Sequence, residues 1–350
     1  MTRVSTLAQN TLISAYAMAT KTRMTDTQIQ VASGQKSQRY SGIAADASRL
    51  LNMEGQRDTA KSYIASITTV QTRIKLMSSG LESIDDAANN IKSLINNTKS
   101  TQAAFDVAVW TQADNLLMHI QEVLNTQDDA GYLFGGARRD VAPVDISYAT
   151  INGAAPFPAA PAGGPPPLTP AAPLTQAQID QIAAAYYNGA NTGGNLSVRT
   201  GDGSAPVAYG IRADDEAFKN LIAGLHMVRQ ANVNFPNPAT SNADIDFAYL
   251  ENGLELITRA ISGEATANYA APTTGLRALG GNLAATNQVL SRSLDQHTTF
   301  INYTENAISD IEQIDPAEAI TKLNADQIAL QAAFSTLAKL QETSLLNYLR

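Results

Sequence analysis

The chain has no cysteine in its 350 residues. That excludes a disulfide framework, a thiol nucleophile and any thiolate metal site. Histidine is nearly as scarce. His119, His226 and His297 stand far apart and offer no converging ligand set for a metal. Aromatic residues make up 6%, with a single tryptophan, which is little for a packed catalytic pocket. Basic charge is short as well: 24 Lys and Arg against 32 Asp and Glu give a formal net charge of −8. A phosphate backbone finds no complementary surface there, so nucleic acid is not an expected partner. Long apolar runs are missing too. No stretch approaches the roughly 18 residues of a membrane helix, so membrane insertion is not expected. The opening MTRVSTLAQNTLISAYAMATKTR lacks the apolar stretch of a cleaved secretory signal.

Proline is absent where helices must be long. None lies between residues 1 and 142 or between 273 and 315, while eight of the fourteen fall in PFPAAPAGGPPPLTPAAP, 156–173. Proline removes a donor and clashes inside a helix, so both ends can be long helices and the middle cannot. The tract reads as an extended surface segment.

What is present fits that division. From Val70 the apolar residues step by four and three through Ile74, Met77, Leu81, Ile84, Ala88, Ile91 and Ile95, and Phe105, Val109, Leu116, Val123 and Leu124 keep a similar phase. That spacing predicts a coiled-coil seam, and one helix over 58–126 would be about 100 Å long. A second stripe runs through Leu276, Leu279, Leu283, Thr286, Leu290, Leu294, His297, Ile301, Thr304, Ile308 and Ile311. The two stripes can cover each other as an antiparallel pair. Asp315-Pro316 marks a new helix start. Between the ends, the turn signals and β-branched runs of 191–215 predict a small β region, followed by helices from Glu216 and over DIDFAYLENGLELITRAI. The fold class is therefore mainly α: long antiparallel coiled-coil helices from both termini, with a small mixed α/β, β-rich outer domain inserted in the middle.

The chemistry-bearing motifs are weak. GYLFGGARRD, from Gly131, has glycines but no Lys-Ser/Thr after them and follows a helix, so it reads as a helix end passing into an extended turn. Asp85-Asp86 and Asp128-Asp129 are neighbours that point apart on a helix and are expected to be solvated. Asp214-Asp215-Glu216 is expected to cap the helix that follows. No nucleophile, base and orienter come together, so catalytic, cofactor-binding and metal residues are all assigned as none.

QIQVASGQKSQRYSGIAADASRLLNMEGQRD, GYLFGGARRDVAPV, YGIRADDEAFKNLIAGL and the C-terminal stretch from Ile308 to SLLNYLR together resemble the bacterial flagellin family, nearest its hook-associated, hook–filament junction type. The resemblance covers 1–145 and 275–350 well and the centre loosely. It implies a terminal helical assembly domain from 1–37 and 318–350, a coiled-coil domain from 38–140 and 275–317, and a variable outer domain from 141–274. It also implies a secreted, extracellular structural subunit in a helical tube of its own copies. Its neighbours would be a hook-side junction protein and filament flagellin, and an export chaperone would accompany it. The main filament subunit is the alternative. Another secreted coiled-coil protein, or an enzyme carried in 145–265, is more remote.

The terminal segments are weakly amphipathic and look incomplete alone. Leu7, Leu12, Ile13, Leu330, Phe334, Leu337 and Leu346 are the candidates for packing between subunits. Val70, Ile74, Met77, Leu81, Ile84, Ile91, Leu283, Leu290, Leu294, Ile301 and Ile308 are the candidates for the coiled-coil seam.

Overall fold

The computed structural model describes residues 2–101, 107–146, 173–189, 195–231 and 247–346, without the side chains at 2–7, 100, 101, 107, 108 and 342–346. Phe105 and the proline tract up to residue 172 lie outside the described residues. Within them the chain is mainly helical. The helices are α1 (Thr2–Ser33), α2 (Ala47–Thr101), α3 (Val107–Leu124), α4 (Gln176–Tyr186), α5 (Glu216–Gln230), α6 (Phe247–Ser262), α7 (Leu276–Glu312) and α8 (Pro316–Leu346). Strands β1 (Gln127–Asp128) and β2 (Gly131–Tyr132) form one antiparallel pair, and β3 (Ser197–Val198) and β4 (Val207–Ala208) another.

Two expectations need correction. The stripe from Val70 to Leu124 is not one helix. α3 returns antiparallel along α2: a Cβ on Gly80 would strike Val123, and Ser83 Oγ lies 2.7 Å from His119 Nε2. Periodicity cannot register the reversal, because both arms turn their apolar faces to one core. The described centre is also not β-rich. The β-branched runs of 191–215 pair over only two residues each, and the apolar residues that follow, Tyr209, Ile211 and Ala213, sink into a helical core instead of extending a ladder.

The chain divides into two compact units, one from Met1–Lys61 with His297–Arg350 and one from Ser62–Gln296. The second unit has a continuous core of side chains from α2 through α7, with Ile84, Ile120, Phe218, Leu225 and Leu256 all fully buried. Helix α5 is enclosed on every side, from Ala217 to Gln230, with Lys219 as its half-exposed exception. It meets α6 at Gly224 and Gly253, where a Cβ on either would lie 2.8 Å from the other's carbonyl oxygen. Several buried polar groups here are paired. Arg73 Nη2 donates to Asp128 Oδ1 at 3.0 Å and Nη1 to the Tyr209 hydroxyl at 3.1 Å, so Asp128 is an ion-pair partner rather than a solvated acid. Burial raises its carboxyl pKa, but the Arg73 hydrogen bond, the Ala130 amide and the charges of Arg73 and Arg139 outweigh burial and hold it below the usual value.

In the first unit Leu50, Ile308 and Ile311 form a small core. Helix α8 starts as the sequence specifies: Pro316 takes the first position and Asp315 Oδ1 accepts from the Ala317 amide at 2.9 Å.

Candidate assembly surface

Helices α1 and α8 pack antiparallel in the first unit. Arg23 reaches Asp326 at 3.2 Å, and Gln35 bridges Gln313 at the other end of the pair. Their facing positions step by three and four. On α1 these are Asn10, Ile13, Ala17, Thr20, Met24, Thr27 and Val31; on α8 they are Ala319, Leu323, Asp326, Leu330, Ala333, Leu337 and Leu340. The α1 side mixes small and polar residues, Asn10, Ala17, Thr20 and Thr27, with Ile13, Met24 and Val31. Thr20 and Thr27 are tolerated there because each hydroxyl donates to the carbonyl four residues back, at 2.9 Å. Such a seam buries little, and among the described residues only Ala17, Thr20, Thr27 and Ala319 are buried in it.

The chain enters and leaves this pair through a clasp. Gly34 ends α1 with φ +72°, a left-handed conformation that suits glycine, and its amide donates to Gln30 O at 2.8 Å. The Lys36 amide donates to Glu312 O at 2.6 Å, and the Ile314 amide donates to Gly34 O at 3.1 Å. Lys36 Nζ adds a bond to Asp310 O at 2.6 Å, capping the last turn of α7.

Large apolar side chains point away from the seam. On α1, Leu12 is 70% exposed, Tyr16 66% and Met18 73%; on α8, Ile328 is 67% and Phe334 55% exposed. Covering any one of them completely would contribute about 1.5–3 kcal/mol. Several together on a thin helix pair mark a surface suited to contact.

The candidate packing residues separate on this surface. Leu12 and Phe334 face outward. Ile13, Leu330 and Leu337 are half-buried at the α1–α8 positions. The side chains of Leu7 and Leu346 lie outside the described ones. Tyr16, Ile328 and the half-exposed Ile29 and Ile320 escaped the sequence reading. The signal for Tyr16 was its place one turn after Leu12, off the main stripe. Of the candidate seam residues, Val70, Ile74, Met77, Leu81, Ile84, Ile91, Leu283, Leu290, Ile301 and Ile308 are buried, and Leu294 is half-buried.

The second unit has a polar recess of about 710 Å³ beside the start of α5, lined by Asp180, Asp214, Asp215 and Glu216 and by Arg212, Lys219 and Arg259. Its cations are already engaged: Arg212 Nε with Asp214 at 2.8 Å, Lys219 with Asp180 at 2.9 Å and Arg259 with Glu216 at 2.8 Å. Asp215 stands at the N-cap of α5, but its Oδ2 accepts from the Arg212 amide at 3.1 Å and no side-chain cap bond to the helix forms. The expected cap is therefore a turn brace, and burial pushes the Asp215 carboxyl pKa up. Among the described residues no group of three His, Cys, Asp or Glu side chains is placed to hold a metal, and no helix is long and apolar enough to cross a membrane.

Comparison with known proteins adds a local similarity. The model of the bacterial flagellin C-terminal helical region matches residues 270–349, which contain all of α7 and α8. No curated protein matches. Among solved structures, a Vibrio parahaemolyticus protein described as a flagellar hook-associated protein aligns at 12% identity and TM-score 0.46, covering 78% of this chain and 100% of that one. FlgL of Bacillus cereus aligns at 13% identity and TM-score 0.43, covering 77% and 99%. At those TM-scores neither likeness carries an argument about this chain. Over its last two helices, residues 270–349, the chain is similar to the C-terminal helical region of bacterial flagellin.

Proposed function

We propose that this chain is a structural, self-assembling subunit of the bacterial flagellum, seated at the hook–filament junction and working in the extracellular appendage. Residues 1–37 and 318–350 act as the assembly domain, 38–140 and 275–317 as the coiled-coil domain, and 141–274 as the outer domain. The observation that carries the reading is the flagellin match over α7 and α8, the second of which leaves Ile328 and Phe334 uncovered. The work is burial rather than catalysis. Copies stacked head to tail in a helical tube cover apolar faces that one copy cannot cover, and contacts that do not close on themselves build an open assembly. Leu7, Leu12, Ile13, Leu330, Phe334, Leu337 and Leu346 serve that packing. A junction layer also meets two different neighbours, a hook-side junction protein and filament flagellin. A chaperone accompanies export.

The filament subunit is the second reading, because the matched region is named for flagellin itself. Immunogold labelling of isolated flagella separates the two. Label confined to a short zone between hook and filament is the expected result, label along the whole filament assigns the filament subunit, and unlabelled flagella overturn both. Deleting residues 320–350 is expected to leave a soluble chain that no longer enters flagella; incorporation of that truncated chain would refute assembly by terminal burial.

A further inference from the structure

The dipeptide Asn-Gly occurs three times, at 152–153, 188–189 and 252–253. The first lies outside the described residues. The other two stand in the second unit, in opposite surroundings. Asn252 is 5% exposed and sits inside α6, where Asn268 Nδ2 donates to its Oδ1 at 3.2 Å. Asn188 is exposed and lies beyond the end of α4. Its main chain is held on both sides. The Asn188 amide donates to Pro143 O at 2.8 Å, and Arg138 Nη1 donates to Asn188 O at 3.2 Å.

An asparagine followed by glycine is chemically labile. The glycine main-chain nitrogen attacks the asparagine Cγ and closes a succinimide ring. The side-chain nitrogen leaves as ammonia, taking up the proton that the glycine nitrogen gives up. Water then opens the ring at either carbonyl. Attack at Cγ leaves aspartate. Attack at the former main-chain carbonyl leaves isoaspartate, whose chain runs through Cβ and Cγ and whose old carbonyl carbon is now a carboxylate. One water enters, one ammonia leaves, one negative charge is gained and no electrons are transferred.

The surroundings of Asn188 favour this reaction. Gly189 brings no side chain to the attacking nitrogen, and none fits there, because a Cβ would collide with the Tyr187 ring. Arg138 acts on the carbonyl of the peptide that must react. A cation bonded to Asn188 O favours the anion left when the Gly189 N–H is lost, which is the attacking form. In isoaspartate that same oxygen belongs to the new carboxylate, so Arg138 gains an ion-pair partner closer than Asp140, which lies 3.9 Å away. At Asn252 both reacting groups are held instead. The Gly253 amide is engaged in the α6 ladder, and the side chain is fixed by Asn268.

We propose that Asn188–Gly189 is a self-modification site: Asn188 deamidates through a succinimide, and Arg138 promotes ring closure and steers the product to isoaspartate. The same dipeptide at 252–253 is protected by the fold. The reaction needs only water, so the modified fraction grows with the age of the chain. It inserts a methylene into the main chain between residue 188 and Gly189 and sets a new carboxylate beside Arg138.

The purified full chain is incubated for days at about 37 °C and about pH 7.4, and fragment mass spectra localise the gain of about 1 Da to residue 188 or 252. Labelling with an isoaspartyl methyltransferase measures the isoaspartate share. Conversion at 188 is expected to run at least about tenfold faster than at 252. In urea the two rates should approach each other, because unfolding frees the Gly253 amide and the Asn252 side chain. Asn188→Gln keeps both main-chain contacts and should remove the signal at 188, since the larger ring closes far more slowly. Arg138→Gln should slow conversion at 188 by about two- to fivefold and lower the isoaspartate share, a modest effect because the Arg138 side chain is 51% exposed. An Asn188 that stays unmodified, equal rates at 188 and 252 in the folded chain, or a difference that persists unchanged in urea overturns the site. An Arg138→Gln chain that matches wild type in both rate and isoaspartate share overturns the role given to Arg138.

Discussion

The two compact units use apolar side chains in opposite ways. In the unit from Ser62–Gln296, α5 is enclosed all round, the glycines of α5 and α6 touch backbone to backbone, and buried cations have carboxylate partners. In the unit from residues 1–61 and 297–350, the α1–α8 seam is lined by Ala, Thr and Asn as often as by Leu, while Leu12, Tyr16, Met18, Ile328 and Phe334 stay in solvent. Similar side chains are available to both. What differs is the number of faces that each helix can cover with its own chain: α5 meets α3, α4 and α6, whereas α1 has α8 as its principal partner. A helix with one partner can bury one stripe, and every apolar residue off that stripe is left for something else to cover.

The largest effect should come from the glycine contact in the second unit. In Gly253→Val the new Cβ lies 2.8 Å from Gly224 O and 2.9 Å from a Val228 methyl, with two backbones unable to part without unpacking α5. A loss of about 3 kcal/mol or more is expected in a denaturant melt, at the high end for overpacking. The α1–α8 pair should be unaffected when hydrogen exchange is read separately there. A loss under about 1 kcal/mol would mean that α6 can shift freely, and the contrast between a tight and a loose unit would weaken.

How much of this was legible in the sequence depends on the kind of signal. Helices α7 and α8 follow from Leu283, Leu290 and Ile308 at heptad spacing and from Asp315-Pro316, because those are local rules acting within a few turns. The flagellin match over 270–349 falls on the same stretch. The reversal between α2 and α3 was not legible. Val109 and Leu116 keep the phase of Ile84 and Ile91 whether the helix continues or folds back, since both cases bury the same face. The Arg73–Asp128 pair was not legible either, because it joins positions 55 residues apart and no local pattern links them. Outward apolar residues such as Tyr16 and Ile328 are the hardest class. Their exposure is a property of what is missing around α1 and α8, and a single sequence carries no record of that.

A middle-sized test puts one substitution in each unit. Ile84 is fully buried in the second unit, and Leu330 is half-buried in the first. Ile84→Ala should cost about 3–4 kcal/mol, through lost transfer energy and a cavity that dense packing cannot refill. Leu330→Ala should cost about 1 kcal/mol in the isolated chain, because much of its surface is already wet and the seam can close over the gap. If assembly covers α8 as proposed, the same Leu330→Ala change should cost more in the assembled state than in the monomer. That shows as loss of incorporation at unchanged monomer stability. Equal losses from the two substitutions in the monomer would mean that the terminal pair is as well packed as the core.

The smallest effect should come from the ion pair in the first unit. Lys61 Nζ lies 3.0 Å from Glu305 Oε1, with the two side chains 51% and 47% exposed. The same kind of contact in the second unit, Arg73 with Asp128, has side chains only 9% and 20% exposed. In water each half-exposed partner keeps most of its hydration, and ordering two long side chains offsets what attraction remains. Lys61→Met should therefore change stability by no more than about 0.5 kcal/mol, and the difference from wild type should vanish as salt rises to about 1 M, where the Debye length is about 3 Å. The methylene stem of methionine keeps the packing of the lysine stem, so the substitution isolates the charge. A loss above about 1 kcal/mol that persists in high salt would show this exposed pair acting as buried ones do, and the first unit would then hold more of its stability within a single copy than its open surfaces imply.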